Sequence, residues 1–197
     1  MITLLRFRRL EQAVCRAGFR ADIEWTEALQ APSDADEFAA AVIYVIANSG
    51  MKNTVAVPIF EKCMHALKSG KPVRSVFGHP GKGQAMEAIW LARDTLFQGY
   101  VEARDKIAFC AALPWVGPVT KYHLGRDMGA DVAKPDVHLE RLATRDRTTV
   151  ERLCCRLARL SGYRIGTVDI ILWRGCEQRI LNSRRYELYG WKAAFRP

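Results

Sequence analysis

No pair of cysteines in this chain stands in a Cys-x-x-Cys arrangement. The six present, Cys15, Cys63, Cys110, Cys154, Cys155 and Cys176, are scattered, so neither a four-ligand zinc spacing nor an iron–sulfur spacing is available. The four histidines show no metal-ligand pairing either, and no metal is expected. Without a disulfide framework, a reduced cytosolic compartment is the simplest expectation. Long apolar runs are missing too: none reaches the roughly 18 residues that span a bilayer, so no membrane partner is expected. The first residues, Met1 to Arg9, hold no extended apolar core and no small-residue cleavage site, which argues against a signal peptide. Internal repeats and low-complexity segments are also absent.

Acidic residues are scarce in one place only. Residues 141–197 hold 5 Asp/Glu against 13 Lys/Arg, whereas residues 1–140 hold 16 against 17. The net charge of +9 over 197 residues therefore comes almost entirely from the last third. A one-sided basic region suits a polyanion, whose counterions are released on binding; a solvated basic surface is the plainer alternative. The hydrophobic share of 49% permits a real core, and the length allows one domain or two small lobes.

Apolar residues recur at helical spacing nearly throughout, which predicts an all-α chain of eight to ten helices. Leu4, Leu5, Phe7, Leu10, Val14 and Cys15 share one side of a first helix. Ser33 to Glu37 is a helix-start signal. The run Ala40 to Ala47 after it is apolar all round, as in a buried helix; a strand is the competing reading, because Val42 to Ile46 are β-branched or aromatic. Asn48-Ser49-Gly50 ends it. Thr54 is expected to cap the next helix, with Pro58 near its first turn, up to about Ser69. Gly70 to Gly83 reads as a loop. Helices are expected over 84–97, 100–111 and 118–128, after Asp136, over 149–160 and from Thr167. A basic, aromatic tail is expected over 179–197.

One run stands apart. Leu113-Pro114-Trp115-Val116-Gly117-Pro118 is a turn between two short helices. Gly117 is expected to take backbone angles other residues avoid and to expose its N–H. Pro118 fits the first position of the following helix. Main-chain N–H groups at a helix N-terminus suit a phosphate oxygen, and such contacts fix register on a duplex without reading sequence. Eighteen residues beyond Pro118 stands Asp136, within Lys134-Pro135-Asp136-Val137-His138. This run resembles the helix-hairpin-helix DNA glycosylases of the endonuclease III superfamily, whose pattern is Leu-Pro-Gly-Val-Gly, some twenty residues, then Val-Asp-x-His. The likeness is strong at 113–136 and diffuse over the rest of 35–175.

The resemblance implies a two-lobed helical glycosylase fold, a single domain over 1–197, with the helix-hairpin-helix element at about 104–128. The partner it implies is double-stranded DNA carrying a damaged or modified base, bound by a monomer, in the cytoplasm or nucleoid of a prokaryotic or phage-related setting. Pro114, Trp115, Val116, Gly117, Val119, Thr120 and Lys121 would grip DNA, and Asp136 would be catalytic. A base inside a duplex has to be flipped out before it can be cut. Breaking its bond to the sugar develops positive charge, which a carboxylate stabilises while water attacks. The plain role of Asp136 is helix N-cap, and the two roles are compatible. The likeness places the base pocket or wedge at Asn48, Ser49, Met51 and Lys52, with Lys134 and His138 beside Asp136. Asn48 read plainly is a helix C-cap, Lys134 a solvated lysine, and His138 a structural support. Trp25 and Trp90 are candidate stacking faces or core residues. No cofactor is expected, although a hairpin of this type can hold a monovalent cation.

Two departures from the pattern matter. Trp115 replaces the usual first glycine, where it either hinders phosphate approach, contacts DNA or packs on adjacent helices. Val119 replaces the lysine with which bifunctional members attack the sugar. The resemblance therefore implies a monofunctional enzyme using water, with a bifunctional glycosylase/lyase using Lys121 or Lys134 as one alternative. A non-catalytic hairpin DNA-binding module is the other. The base removed is left open among oxidised, alkylated, deaminated and hypermodified ones, in repair or in defence against phage with modified DNA.

Overall fold

The computed structural model describes residues 1–196, with Asn53 in its backbone only. Among these residues the regular structure is helical: α1 (Leu4–Val14), α2 (Arg20–Ala28), α3 (Ala35–Asn48), α4 (Asn53–Lys68), α5 (Pro80–Leu91), α6 (Arg93–Glu102), α7 (Lys106–Ala111), α8 (Thr120–Asp127), α9 (Val137–Arg145), α10 (Val150–Ser161), α11 (Ile165–Glu177), α12 (Ser183–Tyr189) and α13 (Trp191–Ala194). The all-α expectation holds, and ten of these helices have eight or more residues. A single bridge, Leu181 to Phe195, is the β contact seen among them. Pro197, the end of the expected tail, lies outside the described residues. No described helix is long and apolar enough to cross a membrane.

The chain forms two compact units: Gln30–Gly129, and Met1–Leu29 together with Ala130 onward. In the first, α3 is the centre and packs on α4, α5, α6 and α8. It starts where the Asp34 carboxylate accepts the Glu37 N–H at 2.8 Å, while Glu37 reaches back to the N–H and hydroxyl of Ser33. This reciprocal capping fixes the entry of the chain. Phe38, Val42, Ile43 and Ile46 are then wholly buried, and the helix, not the competing strand, is what forms.

In the second unit α11 is central, with α1, α2, α9 and α10 against it. Phe7 and Leu10 of α1 meet Leu139, Leu142, Leu153, Leu157, Val168 and Ile171 in one core. Leu5, expected on the inner side of α1, is 63% exposed. Gly175 lets α1 and α11 close in: a Cβ there would lie 2.6 Å from Leu10 Cδ1. Gly175→Ala is expected to cost about 1–3 kcal/mol by overpacking, measured as a lower denaturation midpoint at unchanged slope.

Several boundaries differ from the sequence expectation. α4 starts at Asn53 after Lys52, so Thr54 is inside the helix and Pro58 lies in its second turn. The loop expected over 70–83 is cut short: α5 begins at Pro80, preset for a first helical position, and His79 Nδ1 caps the Lys82 N–H at 3.3 Å. The helix expected over 84–97 breaks at Ala92 into α5 and α6, and the one over 100–111 breaks where Asp105 caps α7. α8 begins at Thr120, two residues past Pro118, and α11 at Ile165 rather than Thr167.

Candidate functional site

The turn between α7 and α8 is held from below by Leu113 and Val116, both buried. Val116 therefore gives its side chain to the core, while Pro114, Trp115, Pro118 and Val119 face outward. The unusual backbone falls on Trp115, at φ +64°, and Gly117 keeps a negative φ. That corrects the expectation for Gly117. The left-handed position is the one where the superfamily pattern has its first glycine, and here a bulky residue bears the strain. Its ring explains how: Trp115 Nε1–H donates to the Gly81 carbonyl at 3.1 Å, and the ring stands edge-on to His79 at 5.2 Å. A Cβ on Gly81 would lie 2.9 Å from Trp115 Cζ2, so glycine there makes room for the ring. Trp115 is still 44% exposed.

The expected ring of free amides is smaller than the sequence suggested. The Gly117 N–H is taken by Thr120 Oγ1 at 2.8 Å, and the Lys121 and Tyr122 N–H groups donate to Gly117 and Val119 carbonyls. Among the described residues, the amides of Val119 and Thr120 remain without a hydrogen bond, at the start of α8. Lys121 lies beside them with Nζ 5.1 Å over the Tyr122 ring. Further along α8, burial would raise the Asp127 carboxyl. Its hydrogen bond and charge contact with His123, at 3.2 Å, and neighbouring Arg126 hold it below its ordinary value instead.

In the same unit, Asn48 ends α3. The Ser49 N–H donates to Val45 O and the Met51 N–H to Asn48 O, both at 3.0 Å, and Gly50 turns the chain at φ +73°. The Asn48 side chain makes no hydrogen bond among the described residues, and Lys52 is exposed. Lys82 lies under this turn. Its Nζ donates to Ser49 O at 2.5 Å and to Ala47 O at 3.4 Å, and the residue is 4% exposed. Sequence reasoning put Lys82 in a loop and missed it. The Pro80 start signal was the available clue, since it moves Lys82 into the first turn of a helix.

In the other unit, Asp136 is the N-cap of α9. Its Oδ1 accepts the N–H groups of His138 at 2.8 Å and Leu139 at 3.0 Å. Oδ2 carries no hydrogen bond among the described residues, and the side chain is half-buried. Burial first, with Asp136 among the further causes, pushes the nearby Cys176 thiol up to about 12 and Cys154 well above the ordinary thiol value. Both thiols are thereby inert core residues. His138 Nδ1 meets Ser183 Oγ at 2.9 Å and ties α9 to α12. Lys134 bonds through its N–H to Asp169 Oδ2 at 2.8 Å, with Nζ 5.8 Å over Trp173.

The segment from Arg179 folds as α12 and α13 against its own unit, with Tyr186 and Trp191 buried. It leaves Arg184, Arg185 and Lys192 outward beside Leu188 and Tyr189, which are 63% and 68% exposed. Trp25 is exposed, and Trp90 is covered by the Arg93 guanidinium at 4.5 Å.

No protein-family model matches this chain, and neither the curated proteins nor the solved structures contain a match. The superfamily likeness therefore rests on residues 113–136.

Proposed function

We propose that this protein is a monofunctional DNA glycosylase with the two-lobed fold of the helix-hairpin-helix superfamily. It flips a damaged or modified base out of duplex DNA and hydrolyses its bond to deoxyribose. The observation that carries this most is Asp136. Helix α9 spends one carboxylate oxygen on two main-chain N–H groups and leaves the other unbonded among the described residues. A cap held this way is oriented without extra side chains, and the remaining oxygen is available to face developing positive charge and to take a proton from attacking water. His138, bound to Ser183, is a positioning residue for α9 in this scheme.

The hairpin supplies sequence-independent grip. The two unbonded amides at the start of α8 suit one phosphate oxygen, with Lys121 nearby, and the basic, aromatic face of α12 and α13 adds further phosphate contacts. No amine stands at position 119. Lys121 packs over Tyr122 and Lys134 over Trp173, which favours water over a Schiff base. Borohydride added during reaction is therefore expected to trap no covalent DNA adduct; a trapped adduct would install the bifunctional alternative.

The decisive assay uses duplexes that each carry one oxidised, alkylated, deaminated or hypermodified base, scored for strand breaks after alkali. Cleavage of at least one is expected. Binding of duplexes with no cleavage across a broad panel would favour the DNA-binding module instead. Repair and defence against phage with modified DNA are both served by this chemistry, and the base found will separate them.

A further inference from the structure

We propose that Lys82 sets the specificity of the Asn48–Lys52 turn, as a fixed positive charge that favours neutral or anionic, carbonyl-rich bases over cationic alkylated purines. This rests on the reading of that turn as the base-contacting segment.

The placement is unusual for a lysine. Long charged side chains bury their stems and keep the charge in water, yet Lys82 is 4% exposed. Among the described residues no carboxylate pairs with it. Its partners are the carbonyls of Ala47 and Ser49, one on each side of Asn48. These belong to the end of α3, where carbonyls lack a helical partner and the dipole is negative. Burial lowers the Lys82 pKa below the ordinary lysine value.

Gly81 lets this first turn of α5 lie under the Trp115 ring, where a Cβ would come within 2.9 Å of Cζ2. His79 caps the turn. The ammonium is thus bonded to the main chain on both sides of Asn48, whose own side-chain amide makes no hydrogen bond among the described residues. A base presented to Asn48 meets a charge bonded to the carbonyls on either side of that residue, and unlike charges attract while like charges repel. Lys52, exposed on the same turn, adds to it. A purine that carries a formal positive charge after ring-nitrogen alkylation is disfavoured there. A base with carbonyl oxygens on its edge is favoured.

The test compares the full-length protein with Lys82→Met and Lys82→Arg. Affinity is measured for three otherwise identical duplexes, carrying 7-methylguanine, 8-oxoguanine or guanine. The wild type is expected to prefer 8-oxoguanine over 7-methylguanine by at least about tenfold, on the scale of one hydrogen-bonded or charged contact. Lys82→Met should reduce that ratio about tenfold, with affinity for the guanine duplex retained, and Lys82→Arg should restore it. Amide exchange over residues 47–53 supplies a readout independent of DNA: faster exchange in Lys82→Met, confined to that segment, is expected. A folded Lys82→Met with an unchanged ratio and unchanged exchange overturns the proposal alone. A wild type that binds all three duplexes equally removes the base-contacting role of the turn, and this proposal with it.

Discussion

Asp136→Asn is expected to lower base excision by roughly 10²- to 10³-fold or more, the scale of removing one electrostatic stabiliser from a transition state. The fold should not notice. Asparagine and aspartate are about equally good N-caps, so the stability change is expected within about 0.5 kcal/mol. The reason lies in how the carboxylate is used: Oδ1 accepts from His138 and Leu139, and an amide oxygen can do the same. What disappears is the charge and the basicity of the second oxygen. Asp136→Ala, in contrast, should lose activity and also about 1 kcal/mol of stability with the cap. Single-turnover excision, thermal melting and duplex affinity measured on the same samples separate these effects. If Asp136→Asn excises at the wild-type rate, Asp136 is a cap and nothing more.

The largest stability loss is expected at the other end of the same helix. Asp146 is the C-cap residue of α9, and its side chain is 1% exposed. Its Oδ2 accepts the Ile2 N–H at 2.7 Å, and its Oδ1 accepts the Tyr186 hydroxyl at 2.5 Å. Arg156 approaches Oδ2 at 3.7 Å. Burial, then the hydrogen bond and charge of Asp146, raise the Tyr186 phenol well above its ordinary pKa. Asp146→Ala leaves a buried N–H, a buried hydroxyl and a cation without their shared acceptor. A loss of about 3–5 kcal/mol is expected, the cost of breaking a buried charged network by removing one partner. Tyr186→Phe removes a single hydrogen bond and should cost about 1 kcal/mol. Chemical denaturation measures both; an Asp146→Ala loss no larger than that of Tyr186→Phe would mean the network carries little.

The helices legible in the sequence were those whose apolar period ends where a cap begins. Val150, Leu153, Cys154 and Leu157 mark α10 this way, and Asp34 and Asp136 mark the starts of α3 and α9. The breaks at Ala92 and at 103–105 were not legible, because apolar residues continue at helical spacing across them. The early start of α5 was hidden by Gly81 and Gly83. Low helix propensity argues for a loop there, but packing against Trp115 and Val73 overrides it. Trp115 itself runs against local preference, and its ring contacts are made with Gly81 and His79, far back in the chain. Lys82 was invisible for the same reason: its role is set by two carbonyls more than 30 residues earlier. The chemistry-bearing residues legible in advance were the ones that also do local work, as Asp136 does.

One measurement goes straight to the centre of the account. DNA rich in oxidised, deaminated and hypermodified bases is incubated with wild-type protein and with Asp136→Asn, and the low-mass fraction is identified by mass spectrometry. A free modified base released by the wild type, leaving abasic sites and missing from the Asp136→Asn sample, is the predicted result. Bound DNA with no base released by the wild type would contradict it.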